Sequence, residues 1–367
     1  MKMKKNILSI VISILSACIL CVNLSVTATA GYTSDYVYNI LETTAEKEFY
    51  NSLYQSCKEV DESDEYYTQT PYVENNYNLS HEHVLEIIHM FTYDHPEFFW
   101  LSNSTMFSSW YGYSLLILED FYDGSDRQNA KNEIFAEIQT YIDGAKQCST
   151  DYDKVKFFHD KLLQNVSYQE GDWDQTVASV FLQNATVCAG YSKAFALLCN
   201  AVGIDAISVT SCGHAWNVVK LDGFWFLIDV TNDYSSYKFF LISDSDMRNL
   251  DIQSGMIYQV TQTVNGVSQT YEFYVHDIDY LTYINYYDDF PNCSFSYDDL
   301  ENYEPTNIAG DADSDGRVTV RDCAYIAMML SKNSAVFLPS YADFNGDGKV
   351  SIRDASAIAA ALVNGKI

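Results

Sequence analysis

Thr186-Val187-Cys188-Ala189-Gly190-Tyr191-Ser192-Lys193-Ala194 opens the part of the chain that decides the fold, and Gly213-His214-Ala215-Trp216-Asn217 and Ile228-Asp229-Val230-Thr231 complete it. After Cys188, apolar residues recur at 194, 195, 197, 198, 201 and 202, which is helical spacing, and Gly203 is a natural stop. Cys188 is therefore expected in the first turn of a buried helix. There the partial positive charge of the helix terminus lowers a thiol pKa, and free backbone N–H groups are donors for a developing oxyanion.

Asp222-Gly223 lies between β-rich runs and predicts a two-residue hairpin turn. Pairing Leu221 with Phe224 sets a register in which Trp216 falls opposite Asp229 and His214 opposite Thr231. His214 and Asp229 then share one sheet face as diagonal neighbours, roughly 7–8 Å apart and within side-chain reach. Phe224–Ile228 is nearly all apolar and is expected to be buried on both faces. A thiol, an imidazole and a carboxylate so placed are the parts of an activated sulfur nucleophile. Singly, each residue type is more often structural, cysteine being a common small core residue. The joint pattern carries the argument.

With these motifs, residues 151–242 resemble the transglutaminase-like superfamily of cysteine enzymes, which has a papain-like fold. The resemblance rests on Val-Cys-Ala-Gly-Tyr-Ser-Lys-Ala at 187–194, Gly-Ile-Asp-Ala at 203–206, His-Ala-Trp-Asn-Val-Val at 214–219 and Leu-Asp-Gly-Phe-Trp-Phe-Leu-Ile-Asp-Val-Thr at 221–231. It implies an α+β catalytic domain, a helix on an antiparallel sheet, over residues 151–300. It implies Cys188 as nucleophile, His214 as general base and acid, and Asp229 as the residue orienting the imidazole. The implied reaction is attack on the carbonyl of a peptide bond or a glutamine side chain. The resulting thioester is resolved by water or by an amine, with hydrolysis expected over crosslinking. No cofactor is implied for that chemistry. The Cys188 backbone N–H and Trp216 are the expected oxyanion donors. The competing reading is a non-catalytic binding or structural component that uses the same fold as a scaffold.

Near the C-terminus, Asp311, Asp313, Asp315, Arg317, Thr319 and Asp322 stand at positions 1, 3, 5, 7, 9 and 12 of a calcium-loop pattern, with Gly316 at 6. Asp343, Asn345, Asp347, Lys349, Ser351 and Asp354 repeat it 32 residues later, with Gly348 at 6. Oxygen donors at 1, 3, 5 and 12 suit a hard cation; position 7 offers a backbone carbonyl and position 9 acts through water. Asp at position 12 is a shorter arm than the Glu of an ordinary EF-hand. One apolar helix follows each loop, Asp322–Leu330 and Asp354–Val363. This duplicated loop–helix pattern resembles a dockerin, over residues 309–367. It implies a small all-α module with two calcium ions, folding on calcium, and a cohesin module of a scaffold protein as partner. Val320 and Arg321, with Ile352 and Arg353, stand at loop positions 10 and 11, which in dockerins help set cohesin choice. The two pairs are alike, which implies binding in two orientations.

Lys2, Lys4 and Lys5 precede the apolar run Ile7–Val22, and Ala28-Thr29-Ala30 precedes Gly31, the pattern of a secretory signal peptide over residues 1–30. Leu15-Ser16-Ala17-Cys18 also resembles a lipoprotein processing box, so a membrane anchor at Cys18 stays open. No other segment has the length of a membrane helix. Fifty acidic against 21 basic residues give a net charge of −29, which repels nucleic acid and anionic membranes. The expectation is a secreted, cellulosome-associated protein at the bacterial surface, acting on a protein or peptide. Seven cysteines follow residue 30, an odd count that leaves a free thiol in a monomer. Cys199 and Cys212 read as packing residues.

Residues 31–150 read as a mainly helical, mixed extension. Ser80 is expected to cap a helix ending at Pro96, and Ser114–Tyr122 to form a strand. His81, His83 and His89 read as an exposed helix face rather than a metal site. Asp151–Glu170 reads as a helix beside the one that follows Cys188. Met256–Thr263 and Ser268–Val275, joined by Asn265-Gly266, read as a hairpin completing the catalytic sheet. Residues 301–308 read as a linker.

Overall fold

In the computed structural model the chain divides into two compact units, Met1–Ser296 and Tyr297–Ile367. The structure describes residues 36–366 except 76–78, 109–112, 120, 122, 212, 234–235, 265–266, 277–290, 292, 303–307, 313–317 and 332–339. The signal-peptide segment, the Cys18 box, Cys212, the Asn265-Gly266 turn, most of the linker and the first-loop residues Asp313, Asp315 and Arg317 lie outside the described residues.

The first unit opens with α1 (Tyr36–Ile40), α2 (Thr44–Asp61), β1 (Val73–Glu74) and α3 (His81–Asp94). Thr43 and Glu46 close a capping box on α2, and Ser80 caps α3 by accepting from the His83 N–H. Pro96 disfavours helical backbone at the residue before it, and α3 ends with His95 as its C-cap. β2 (Leu101–Ser108) and β3 (Tyr113–Leu118) follow and form a sheet in the order β1-β3-β2. The strand expected from Ser114 stops at Leu118, and Asp123 then caps α4 (Gly124–Ala145). α5 (Asp151–Asn165), boxed by Thr150 and Asp153, ends before reaching Glu170. There β4 (Ser167–Tyr168) pairs in parallel with β5 (Ala185–Thr186).

α6 (Cys188–Ala201) begins at the cysteine and ends before Gly203, whose φ is +81°. It packs against β6 (Ala206–Ser211) and β7 (His214–Leu221). The sheet continues through β8 (Phe224–Ile228), leaves it as the short helix α7 (Val230–Asp233), and ends with β9 (Phe240–Ile242), antiparallel in the order β6-β7-β8-β9. Asp222 and Gly223 have φ of 52° and 89°, as a twist-matched two-residue turn requires, and they fix the expected register from Leu221–Phe224 to Asn217–Ile228. Phe226, Leu227 and Ile228 are fully buried, whereas Phe224 and Trp225 at the turn end are only partly so. Ile207, Val209, Trp216, Val218 and Leu227 form a core cluster with Phe239, Ile242 and Met247 of α8 (Asp244–Ser254).

β10 (Ile257–Val264) and β11 (Val267–Tyr274) form the expected hairpin, but it stands as a two-stranded sheet of its own. The free edge of β8 is instead taken by β9, which is too short for residue alternation to announce it. In the second unit, α9 (Val320–Ser331) and α10 (Ile352–Val363) pack on a core of Ala312, Ile326, Ala342, Ala355 and Ile358.

Candidate active site

Cys188 is the first residue of α6. Val187 at the N-cap supplies no side-chain acceptor, so the first-turn N–H groups are left for another partner. Side chains of the helix and of β7 fix its position. Ser192 Oγ donates to the Trp216 carbonyl at 2.8 Å, Lys193 Nζ to the Gln175 carbonyl at 3.0 Å, and Asn217 Nδ2 to the Ser192 carbonyl at 2.9 Å. At Gly190 a Cβ would sit 1.8 Å from Thr186 Oγ1, which itself donates to the Asp174 carbonyl. The glycine lets the segment before the helix cross directly over it.

His214 opens β7. The pairing of β7 with β8 stops at Asn217–Ile228, so the expected His214–Thr231 pair does not form. The chain leaves the sheet at Asp229, whose N–H donates to the Phe239 carbonyl, and turns into α7. The departure still delivers the carboxylate: Asp229 Oδ2 lies 2.8 Å from His214 Nε2. Oδ1 caps α7, accepting from the N–H groups of Thr231 at 2.9 Å and Asn232 at 3.2 Å. Asn232 Nδ2 adds a bond to Oδ2 at 2.6 Å. With Nε2 turned to Asp229, Nδ1 is the ring nitrogen left to meet the hydrogen-bonded Cys188.

Burial alone pushes the Cys188 thiol up. The hydrogen bond and charge of His214, with the backbone N–H groups of Ala215 and Ala189, outweigh it and hold the thiol below its ordinary value. The other described cysteines, Cys57, Cys148, Cys199, Cys293 and Cys323, are all pushed the opposite way, chiefly by burial. Burial also works against a charged His214, but the charge and hydrogen bond of Asp229, then those of Cys188, raise it well above an ordinary imidazole. Asp229 is held far below the usual carboxylate range; burial opposes this, and His214 and then His276 enforce it. The Tyr168 hydroxyl also hydrogen-bonds Cys188.

Three neighbours escaped the sequence reading. His276 lies wholly buried against the far side of Asp229, and Asp251 lies behind it. A lone histidine just past β11 shares no spacing with the motifs and gave no signal. Asn232 stands three residues after Asp229 at a helix start, a spacing that suits a second donor to the same carboxylate. Trp216 stacks on His214 with centroids 6.0 Å apart and planes 16° apart. Its buried indole N–H has no acceptor among the described residues. Of the α3 histidines expected on an exposed face, His81 is exposed, but His83 Nε2 meets Glu46 Oε1 at 2.8 Å and His89 Nε2 meets Thr210 Oγ1 of β6 at 3.1 Å. His83 and His89 thus face the helix's packing partners.

In the second unit the loop 343–354 is described throughout. The N–H groups of Asp347 and Gly348 converge on Asp343 at 3.1 and 2.7 Å, and Gly346 and Gly348 both have positive φ. This curls the loop about Asp343, and Asp343, Asn345 and Asp347 offer side-chain oxygens, the donor type a calcium ion selects. Asp354 is fully buried and accepts from the Asn345 and Ser351 N–H groups, tying loop to helix. Asp322 does the same for the first loop, accepting from Ala312 and Thr319. Beside these, Val320 and Ile352 are exposed by 71% and 58%, far more than packing residues of a helix start.

A cysteine at a helix start, facing a histidine on the adjoining antiparallel sheet and a buried aspartate, is the frame of a transglutaminase-like domain. Residues 139–230 match the family model described as Transglutaminase-like superfamily, and residues 309–363 match Dockerin type I domain. The chain thus carries a transglutaminase-like domain and a C-terminal dockerin on an α+β fold. Dockerin type I domains bind calcium and cohesin modules, and mark cellulosome components. Among solved structures, a TGase is similar at 20% identity and TM-score 0.27, covering 33% of this chain and 41% of that one. Menin, in a structure revealing its binding site for Mixed Lineage Leukemia protein, is similar at 15% identity and TM-score 0.26, covering 51% and 35%. This chain therefore spans less than half the length of either. No match was found among curated proteins. None of the described helices is long and apolar enough to cross a membrane.

Proposed function

We propose that this is a secreted, scaffold-docked cysteine enzyme that cleaves peptide or glutamine amides through a thioester on Cys188. The observation that carries the reading is His214 held between Cys188 and the buried Asp229, with Cys188 the one described cysteine whose thiol is lowered. The thiolate of Cys188 attacks the amide carbonyl while His214 holds the proton. His214 then gives that proton to the departing amine or ammonia, leaving the acyl group on sulfur. Water, deprotonated by His214, releases the acid; an amine in its place would give a crosslink. The N–H groups of the α6 start and the indole N–H of Trp216, which has no acceptor among the described residues, are the proposed oxyanion donors.

The dockerin is proposed to hold two calcium ions, through Asp311, Asp313, Asp315, Arg317, Thr319 and Asp322 and through Asp343, Asn345, Asp347, Lys349, Ser351 and Asp354. Val320, Arg321, Ile352 and Arg353 are proposed to contact the cohesin. The test is release of ammonia or new N-termini from an unfolded protein substrate by the full chain and by Cys188→Ala. Turnover is expected in the first and loss to background in the second, with cohesin binding equal in both. Equal turnover in both would remove Cys188 from the reaction.

A further inference from the structure

We infer that His276 is a positioning residue for this site: a permanently protonated imidazole, clamped between Asp229 and Asp251, that limits how tightly Asp229 makes His214 hold its proton. The inference rests on the thiol chemistry proposed above. Both ring nitrogens of His276 face carboxylate oxygens, Nε2 at 2.8 Å from Asp229 Oδ2 and Nδ1 at 2.7 Å from Asp251 Oδ1. An ionised carboxylate only accepts, so both bonds are made only if both nitrogens carry protons. The backbone gives a second anchor, the His276 N–H donating to Asp251 Oδ2 at 3.0 Å. All three side chains are fully buried.

Among the described residues, the charged groups facing His276 are Asp229 at the end of β8, Asp251 of α8 and His214 of β7, whose ring meets it edge-on with centroids 5.2 Å apart. Trp216 and Phe239 supply apolar walls, with centroids at 5.1 and 5.8 Å. Cys188, His214, Asp229, His276 and Asp251 therefore form a row of alternating charge when the thiol is ionised. Asp229 Oδ2 is shared between two imidazoles at equal distance, 2.8 Å each. Were it given to His214 alone in this dry site, His214 would bind its proton more strongly and release it less readily to a leaving amine. The cation on the far side offsets that pull and stops the carboxylate from rotating.

His214, Asp229 and His276 also present ligand atoms within 4.8 Å of one another, close enough for a divalent cation. The hydrogen bonds at both His276 nitrogens favour the protonated ring over a metal ligand.

The test follows histidine protonation by NMR in the full chain, wild type against His276→Gln, with thermal unfolding and the pH dependence of Cys188 alkylation measured alongside. In the wild type His276 is expected to carry two N–H protons through neutral pH. In His276→Gln the pH at which His214 loses its proton is expected to rise by about 1 unit or more. A purely structural role would lower the unfolding temperature and leave the His214 titration in place, which would overturn the inference. So would a His276 whose Nε2 lacks a proton and responds to added zinc, since that describes a metal site. If His276→Gln does not fold, Asp251→Asn removes only the outer charge. His276 is then expected to deprotonate at lower pH, and His214 to follow upward; unchanged titration of both histidines sinks the idea. Ordinary reactivity of Cys188 in the wild type, with His276 doubly protonated and His214 responsive, would instead overturn the proposed enzymatic reading alone.

Discussion

Asp229 serves two structures at once, capping α7 with Oδ1 and holding His214 with Oδ2. Asp229→Asn preserves the shape and one acceptor but removes the charge that keeps His214 protonated. Turnover is expected to fall on the order of 10³–10⁴-fold. The direction of the pKa shifts fixes the accompanying pH behaviour. Cys188 is lowered and His214 raised, so the thiolate–imidazolium pair exists from below the ordinary thiol range of about 8.5 upward, until His214 gives up its proton. Alkylation of Cys188 in the wild type is therefore expected to be fast already near neutral pH, and in His214→Ala to recover only at the alkaline pH of a free thiol. Superimposable profiles would show that the two side chains do not share a proton. Cys188, His214 and Asp229 were legible because each sits inside a local pattern: a helix start, a strand start and a strand end. His276 and Asp251 were not, because a buried pair from α8 and the turn just past β11 leaves no periodic trace.

Among the elements, α6 depends most on a single atom's absence. Gly190→Ala would drive a methyl group into Thr186 Oγ1, which is fixed by its bonds to the Asp174 carbonyl and the Ser179 hydroxyl. Overpacking of this kind costs about 1–3 kcal/mol. The start of α6 is also expected to move, so Gly190→Ala should unfold at lower temperature and react more slowly at Cys188. A change in unfolding alone would mean that the helix start absorbs the strain elsewhere. The register of β7 on β8 was readable from Asp222-Gly223 because a two-residue turn admits one pairing. The reading overran at Asp229, where two short-range hydrogen bonds from Thr231 and Asn232 and one to the Phe239 carbonyl take the place of three more ladder pairs. It also sent β10 and β11 to the wrong sheet, since hairpin signals specify a partner strand but not the edge it joins. β9, three residues long and carrying Leu241 at φ 56°, offered no alternation to read.

At the scale of the molecule, two units divide the chemistry: Met1–Ser296 holds the thiol site and Tyr297–Ile367 the calcium loops. A module of about sixty residues buries too small a fraction of its surface to be secure unaided, so calcium binding is expected to supply folding free energy. Removing calcium with EGTA should abolish cohesin binding and melt helix signal from α9 and α10, while Cys188 alkylation stays at its calcium-loaded rate. Loss of both together would mean that the thiol site depends on the metal. The two loops then make a sharper expectation. Val320-Arg321 and Ile352-Arg353 place an exposed apolar residue and an arginine at the same two positions of each repeat. On the proposed reading, a cohesin that engages one pair is expected to engage the other pair in a second orientation. Replacing Val320 and Arg321 by Ala and Glu should change the dissociation constant by less than about threefold, as should the same change at Ile352 and Arg353. Replacing all four should weaken binding by at least about a hundredfold, since no intact reading face remains and a few anchors carry most of an interface's energy. Isothermal titration with a cohesin separates the cases, and a large loss from either pair alone would show that one repeat does the docking.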